Sequence, residues 1–301
     1  MARLRLDAEL VRRGLASSRT QAQQLVGAGK VTVSGMVASK VATQVDQACA
    51  IEVLADAEPT YVSRGAHKLV GALDAFAGLH PSIEGAKCLD AGASTGGFTD
   101  VLLQRGAAEV VAVDVGYGQL AWKLRSDPRV VAVERTNIRT LAPEVVGSPP
   151  SLVVADLSFI SLTLVLENLV RCAPGATMIL MVKPQFEVGK GKVGAKGVVR
   201  DAALRTEAIL KVARAAEEAG LQVGGVAPSP LPGPTGNVEY FLLLSPPGSA
   251  GALTGDALEN AAEAAVANGP QDGIASPPKA GANRVEDREG SGAPVDSANQ
   301  S

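Results

Sequence analysis

Asp90 closes a short apolar run and is followed by Ala-Gly-Ala-Ser-Thr-Gly-Gly-Phe-Thr99. A strand ending in an acid, then glycines at 92, 96 and 97, then a helix, lets backbone approach a small ligand closely at a sheet edge. The spacing is Asp-x-Gly-x-x-x-Gly-Gly-x-Thr rather than the Gly-x-Gly-x-x-Gly of dinucleotide sites, which points to an adenosyl amino acid. Asp114 ends the next apolar run, 24 residues further on, where a carboxylate can accept hydrogen bonds from both hydroxyls of a ribose. Asn137, just past the third run, is placed to meet an adenine. The competing reading makes both acids helix N-caps and the glycines plain turn formers. Acids closing two consecutive strands at one edge argue against it.

A second set of charges lies further along. Asp156 follows Val153-Val154-Ala155, Lys183 follows Met178 to Val182, and Glu239 stands just before Tyr240-Phe241. If these runs are strands of one sheet, the ends of the fourth and fifth and the start of an antiparallel seventh share one rim. Lys68, on a helix beginning near Ser63, can bring a fourth charge there. Any one of these residues alone is most simply a surface ion pair. Together, in this chain order, Lys68, Asp156, Lys183 and Glu239 resemble the Lys-Asp-Lys-Glu tetrad of FtsJ-like ribose 2'-O-methyltransferases.

The resemblance implies a ribose 2'-hydroxyl as acceptor. That hydroxyl is a poor nucleophile, so its proton must be removed or shared while the oxygen is held in line. Lys183 is the expected base. A lysine serves if burial and a second cation, Lys68, lower its pKa while Asp156 and Glu239 orient it by hydrogen bonds. Whether it acts as neutral base or as a cation facing an alkoxide, it occupies the centre. The resemblance also implies S-adenosyl-L-methionine as cofactor, held by Asp90, Gly92, Ser94, Thr95, Gly96, Gly97, Phe98 and Thr99 with Asp114, Asn137 and Asp156.

The elements that must position these residues follow from periodicity. Strands are expected near Lys87-Leu89, Val110-Val113, Val130-Val133, Leu152-Ala155, Met178-Val182, Val223-Val226 and Tyr240-Leu244. Helical stretches carry Leu102-Leu103, Leu120 to Leu124, Leu162 to Val170 and Leu204 to Ala219, so the alternation predicts an α/β doubly wound sheet with helices on both faces. Pro228 to Asn237 is too short for a crossover helix, so the seventh strand must run antiparallel. That is the arrangement of a class I Rossmann-like methyltransferase.

Upstream, Asp7 is a plausible N-cap for a short helix that stops at Gly14, and Ser18 with Gln21 reads as a capping box for a second helix ending at Gly29. Lys30 to Val37 alternates around Ser34-Gly35 as a tight hairpin does. This order, with Arg5-Leu6-Asp7, Arg13-Gly14, Ser18-Arg19, Gly29-Lys30-Val31 and Lys40, resembles the S4 RNA-binding domain. Ser34 stands where that family usually has Asn, a substitution a turn accommodates.

Charge is unevenly spread. The whole chain carries -3, but the segment from Pro246 onward carries -5, leaving +2 on residues 1–245. Within the first 40 residues seven bases face two acids, a concentration suited to phosphates. Arg3, Arg5, Arg13, Arg19, Lys30 and Lys40 are the expected RNA contacts there. Arg64 and the basic, glycine-rich stretch holding Lys190, Lys192 and Lys196 beside the catalytic rim are further ones. A solvated basic face and a plain connecting loop are the bland alternatives. Cys49, Cys88 and Cys172 are far apart and odd in number, so neither a disulfide framework nor a metal site is expected. No run approaches a membrane span or a secretion signal, and a cytoplasmic monomer with no membrane partner is expected.

Four parts are expected: an S4-like domain at 1–59, a linker at 60–67, a methyltransferase domain at 68–245 and a disordered tail at 246–301. The ordered motifs, Asp90 to Thr99, Ala-Asp-Leu-Ser-Phe-Ile-Ser161, Val-Lys-Pro-Gln-Phe-Glu187 and Gly-Asn-Val-Glu-Tyr-Phe241, behind an S4-like module, closely resemble the TlyA family over residues 1–245. Membership implies 2'-O-methylation of cytidine in ribosomal RNA, in the small subunit and in some members the large one as well. The family's haemolysin label leaves a membrane-lytic protein as the alternative, although no long basic amphipathic helix supports it. An RNA-binding module that has lost catalysis is a third reading, opposed by the intact charged quartet.

Overall fold

The computed structural model describes residues 4–270 apart from 28, 47, 54–59 and 195–196. The N-terminal module is β1 (Leu4–Arg5), α1 (Leu6–Arg12), α2 (Arg19–Gly27), β2 (Val31–Val33), β3 (Met36–Val37), β4 (Gln44–Val45) and β5 (Ile51–Val53). Strand β2 pairs antiparallel with both β3 and β5, while β1 pairs with β4. The hairpin turn has φ of +50° at Ser34 and +78° at Gly35, the left-handed pair that matches strand twist. Leu6, Leu10, Ala22, Leu25, Val26 and Val31 form the module's core, as the helical spacing of the sequence requires.

Two local expectations for this module are adjusted. The capping box forms, with the Gln21 amide donating to Ser18 Oγ at 3.2 Å, but the Gln21 side chain reaches one residue further back, to the Ser17 amide at 2.6 Å. Asp7 is not an N-cap. Helix α1 starts at Leu6, and Asp7 is fully buried within it, paired to Arg5 at 3.0 Å and Arg19 at 3.3 Å.

The second part holds α3 (Gly65–Ala75), β6 (Lys87–Ala91), α4 (Gly97–Gln104), β7 (Glu109–Val113), α5 (Trp122–Arg125), β8 (Val130–Val133), α6 (Pro143–Val146), β9 (Leu152–Ala155), α7 (Leu166–Cys172), β10 (Thr177–Val182), α8 (Pro184–Glu187), α9 (Ala202–Glu218), β11 (Gln222–Pro228), β12 (Tyr240–Ser245) and α10 (Gly255–Asn268). The sheet order is β11-β12-β10-β9-β6-β7-β8. Strands β8, β7, β6, β9 and β10 are parallel neighbours, whereas β12 runs antiparallel between β10 and β11. All seven expected strands are present, with the seventh reversed.

Alternation along each strand feeds two cores. Leu89, Val111, Val153, Leu180 and Leu242 face α7, α9 and α10, while Cys88, Val110, Val154, Ile179 and Phe241 face α3 and α4. A buried strand with both faces covered has to be apolar at every position, which is why these runs are so continuous. The rim where β6, β7, β9 and β10 end is therefore a row of carboxyl-terminal strand ends with loops above it, the usual ligand edge of such a sheet.

The expectation of disorder from Pro246 is corrected in part. Helix α10 packs Leu258, Ala262, Ala265 and Val266 onto the core beside α9 and β11. Their spacing is that of one helical face, but alanines provide little apolar contrast, and the Gly- and Pro-rich flanks masked it. The remainder of that segment, 271–301, lies outside the described residues.

Candidate active site

The glycine loop runs from the end of β6 into α4. Gly96 has φ of +98° and Gly92 of +87°. A Cβ at Gly92 would fall 2.8 Å from the Asp156 carbonyl oxygen, so only glycine lets β6 and β9 end side by side here. At Gly97 a Cβ would come within 2.9 Å of the Ala66 amide nitrogen, so the starts of α3 and α4 abut. Two cavities flank this loop. One of about 340 Å³ is lined by Arg64, Lys68, Thr95, Gly97, Phe98, Lys183 and Glu239, among others. A larger one of about 800 Å³ carries Asp114, Gln119, Asn137, Arg139 and the loop after β9. They share Gly92, Ser94, Asp156 and Ser158 as a common wall.

The four expected catalytic residues meet in the smaller cavity as two ion pairs. Lys68 Nζ donates to Glu239 Oε2 at 2.5 Å, and Lys183 Nζ lies 2.6 Å from Asp156 Oδ1. Lys68, Lys183 and Glu239 are all buried, whereas Asp156 is partly open to the cavities. The orientation expected from sequence is thus redistributed. Glu239 orients Lys68 rather than Lys183, and the second bond of Lys183 goes to Ser158 Oγ at 2.8 Å. Ser158 was missed by sequence reasoning, although its place two residues after Asp156 in a non-helical segment was the available signal. Burial pushes the Glu239 carboxyl upward, and the Lys68 ammonium opposes that shift.

Packing explains why Lys68 reaches the site without a strand to fix it. On α3 one turn after Lys68, a Cβ at Gly71 would clash with Pro230 Cγ at 2.6 Å, so the helix docks on the proline-rich loop between β11 and β12. In the same loop a Cβ at Gly233 would sit 2.7 Å from Glu239 Oε1. Two glycines therefore let helix, loop and carboxylate close on one another.

The expected cofactor residues divide into wall and support. Gly92, Ser94, Asp114, Asn137 and Asp156 line the larger cavity; Thr95, Gly97 and Phe98 line the smaller one. Asp114 holds the loop in place by accepting from the Ser94 amide at 2.9 Å and the Gly116 amide at 2.6 Å. Asn137 Oδ1 accepts from the Arg139 amide at 3.0 Å, turning the chain after β8. Asp90, Gly96 and Thr99 are not among the lining residues. Asp90 is fully buried behind the loop, accepting from Thr99 Oγ1 at 2.6 Å, and Gly96 packs on Leu120 and Leu124. Burial is the main cause that raises the Asp90 carboxyl to about 7; the Thr99 hydrogen bond works against it and the Asp156 charge adds to it.

These residues fit an adenosyl amino acid. The larger cavity has the size of a cofactor pocket, with the carboxylates of Asp114 and Asp156 and the amide of Asn137 just past the strand ends and apolar Val113, Leu157 and Ile160 in the same lining. Beneath the glycine loop, Asp90 Oδ1 is buried without a hydrogen-bond partner.

Of the expected RNA contacts, Arg64 is exposed on the smaller cavity. Arg19 and Lys40 are exposed on the N-terminal module, Arg5 is exposed beside Asp7, and Lys30 is half-buried. Arg13 is committed internally: it donates to buried Glu9 at 2.7 Å and to the Cys49 carbonyl at 2.8 Å. Lys192 pairs with Glu207 at 2.7 Å. Arg3, Lys196 and the side chain of Lys190 fall outside the described residues.

The sheet order, the glycine loop and the acids at successive strand ends define a class I, S-adenosylmethionine-dependent methyltransferase domain behind an S4-type module. The FtsJ-like methyltransferase family matches residues 61–245, and the S4 domain family matches residues 4–48. The chain is 60% identical to the 16S/23S rRNA (cytidine-2'-O)-methyltransferase TlyA of Mycobacterium tuberculosis, covering 89% of this chain and 99% of that one. It is 37% identical to Hemolysin A of Brachyspira hyodysenteriae over 79% of this chain and 98% of that one. A solved structure of a candidate hemolysin from Streptococcus thermophilus superposes with a TM-score of 0.64 at 36% identity, covering 88% and 96% of the two chains. The chain belongs to the TlyA family of S4-bearing, FtsJ-like methyltransferases.

Proposed function

We propose that this protein methylates the ribose 2'-hydroxyl of a cytidine in ribosomal RNA, in the small subunit and also in the large one, with ribosomal RNA or ribosomal subunits in the cytoplasm as its partners. The observation that carries the reading is the two ion pairs, buried Lys68 with Glu239 and Lys183 with the partly open Asp156, in a cavity sharing a wall with the pocket of Asp114 and Asn137. S-adenosylmethionine, when bound, supplies an electrophilic methyl group. The chain's own residues do the rest.

Lys183 Nζ, held between Asp156 and Ser158, is the group that takes or shares the hydroxyl proton. Once it carries that proton, its ammonium favours negative charge on the acceptor oxygen. Lys68 and Glu239 keep the adjoining wall charged but internally neutral. The S4-type module supplies affinity for RNA, its exposed Arg19 and Lys40 facing phosphates. A lytic role has less support: among the described residues no helix is long and apolar enough to cross a membrane.

The test is to incubate small and large ribosomal subunits lacking the modification with purified protein and S-adenosylmethionine, then map 2'-O-methyl groups. New methylation confined to specific cytidines is the expected result. Methyl transfer to bases, or none to either subunit, overturns the proposal.

A further inference from the structure

Glu187 lies outside the charged quartet, yet it is one of the most buried carboxylates in the protein, 3% exposed at the end of α8. It does not line either cavity. Its two oxygens are both used by the segment after β9. Ser161 Oγ donates to Oε2 at 2.5 Å, and the Leu162 amide donates to Oε1 at 2.8 Å. From the opposite side, Lys211 of α9 donates to the Glu187 carbonyl at 2.7 Å, with its ammonium 3.8 Å from Oε2. Burial raises the Glu187 carboxyl, opposed by the bonds from Ser161 and Leu162.

What this carboxylate holds is a wall of the cofactor pocket. Leu157, Ser158, Phe159, Ile160 and Ser161 all line the larger cavity. The segment has no regular structure at 156–160, and Phe159, its side chain almost fully exposed, adopts φ of +66°, in the region a bulky residue rarely enters. At one end the segment leaves β9 through Asp156, whose amide donates to the Ala91 carbonyl at 3.1 Å. At the other end it meets Glu187. The same carboxylate sits four residues after Lys183, so it ties the strand end carrying Lys183 to the segment carrying Asp156 and Ser158.

We propose that Glu187 is a positioning residue for S-adenosylmethionine, latching the 157–161 wall so that the cofactor pocket is formed before the ligand arrives. This rests on the methyltransferase reading but not on the identity of the acceptor. A wall left loose has to be ordered at the expense of binding energy, so loss of the latch weakens cofactor affinity first.

The latch depends on reach and on two acceptor positions more than on charge, and this separates it from a general structural role. Glu187→Gln keeps the reach: Oε1 can accept from Leu162 and Nε2 can donate to Ser161 Oγ, whose own proton can turn to Thr163 Oγ1 at 2.7 Å. Glu187→Asp keeps the charge but shortens the reach by one methylene. The full-length variants are titrated with S-adenosylmethionine, and with S-adenosylhomocysteine, by calorimetry in the absence of RNA. The expected result is affinity within threefold of wild type for Gln and weakened at least tenfold for Asp and Ala, at unchanged stoichiometry. Equal affinity in Asp and wild type, or a loss in Gln exceeding that in Asp, overturns the proposal. Should the Ala variant not fold, the Gln and Asp pair still decides. Because no RNA is present, a wrong acceptor leaves this result intact, whereas a chain that is not a methyltransferase gives no binding in any variant.

Discussion

Lys68 and Glu239 stand at opposite ends of the catalytic domain's sequence and meet at 2.5 Å inside it, with only 10% and 2% of their side chains exposed. Breaking such a pair strands a buried charge. We expect Lys68→Met alone to lower unfolding free energy by roughly 3–5 kcal/mol and to abolish methyl transfer. The double variant Lys68→Met, Glu239→Gln removes both charges. It should regain most of the stability without regaining activity, as read by urea unfolding and a tritium-transfer assay. Recovery of activity in the double variant would show that the pair is structural only.

Lys183 is held from two sides, by Asp156 and Ser158. Lys183→Ala should reduce methyl transfer to ribosomal subunits by roughly 10³-fold while S-adenosylmethionine still binds. Ser158→Ala removes a single hydrogen bond to a charged group and should lower kcat by about tenfold, a loss of the size such bonds carry. Single-turnover rates at saturating cofactor separate these effects from binding.

Asp90 gives the cofactor step a pH dependence. Its carboxyl is raised to about 7 by burial, so the folded protein keeps a proton that the unfolded chain releases near the usual value of 3.8. Below that usual value the group is neutral in both states; as pH rises from there towards 7, stability falls, because the unfolded state binds fewer protons. A sulfonium and ammonium bound near the loop favour the ionised form, so binding near neutral pH should release protons. Calorimetric titrations in buffers of different ionisation enthalpy should show that release in wild type and its loss in Asp90→Asn.

The N-terminal arginines should divide by function. Arg19 is well exposed, and replacing Arg19 and Lys40 by Ala should weaken RNA binding and flatten the slope of log affinity against log salt by roughly 0.9 per lost phosphate contact. Arg13 is tied to Glu9 and to the Cys49 carbonyl, so Arg13→Ala should act through the fold. We expect it to lower the Tm of the N-terminal module. Glu9, held down to about 2 chiefly by its hydrogen bonds from Arg12 and then Arg13, should make the same module sensitive to acid: this contribution is present above the ordinary glutamate pKa and is lost as pH falls towards 2. Circular dichroism melts across pH provide the check.

The sequence alone determined where the strands lie and which ones end in a charge. Both are written locally: apolar runs of four or five residues in β7, β9 and β10 with an acid or lysine directly after each, while in β6 the acid, Asp90, is the last but one residue of the strand. The reversal of β12 was equally legible, because the connection Pro228 to Asn237 is too short to cross over. The tertiary structure decided which charge meets which. Lys68 joins Glu239, and Lys183 joins Asp156 and Ser158, because α3 docks through Gly71 on Pro230 and brings its lysine over β12 rather than β10. It also decided that Asp90 and Thr99 brace the glycine loop from behind, that Arg13 turns inward, and that α10 completes the core. Each of these depends on the side-chain packing of segments remote in sequence, and periodicity within a segment carries no record of what another segment will cover.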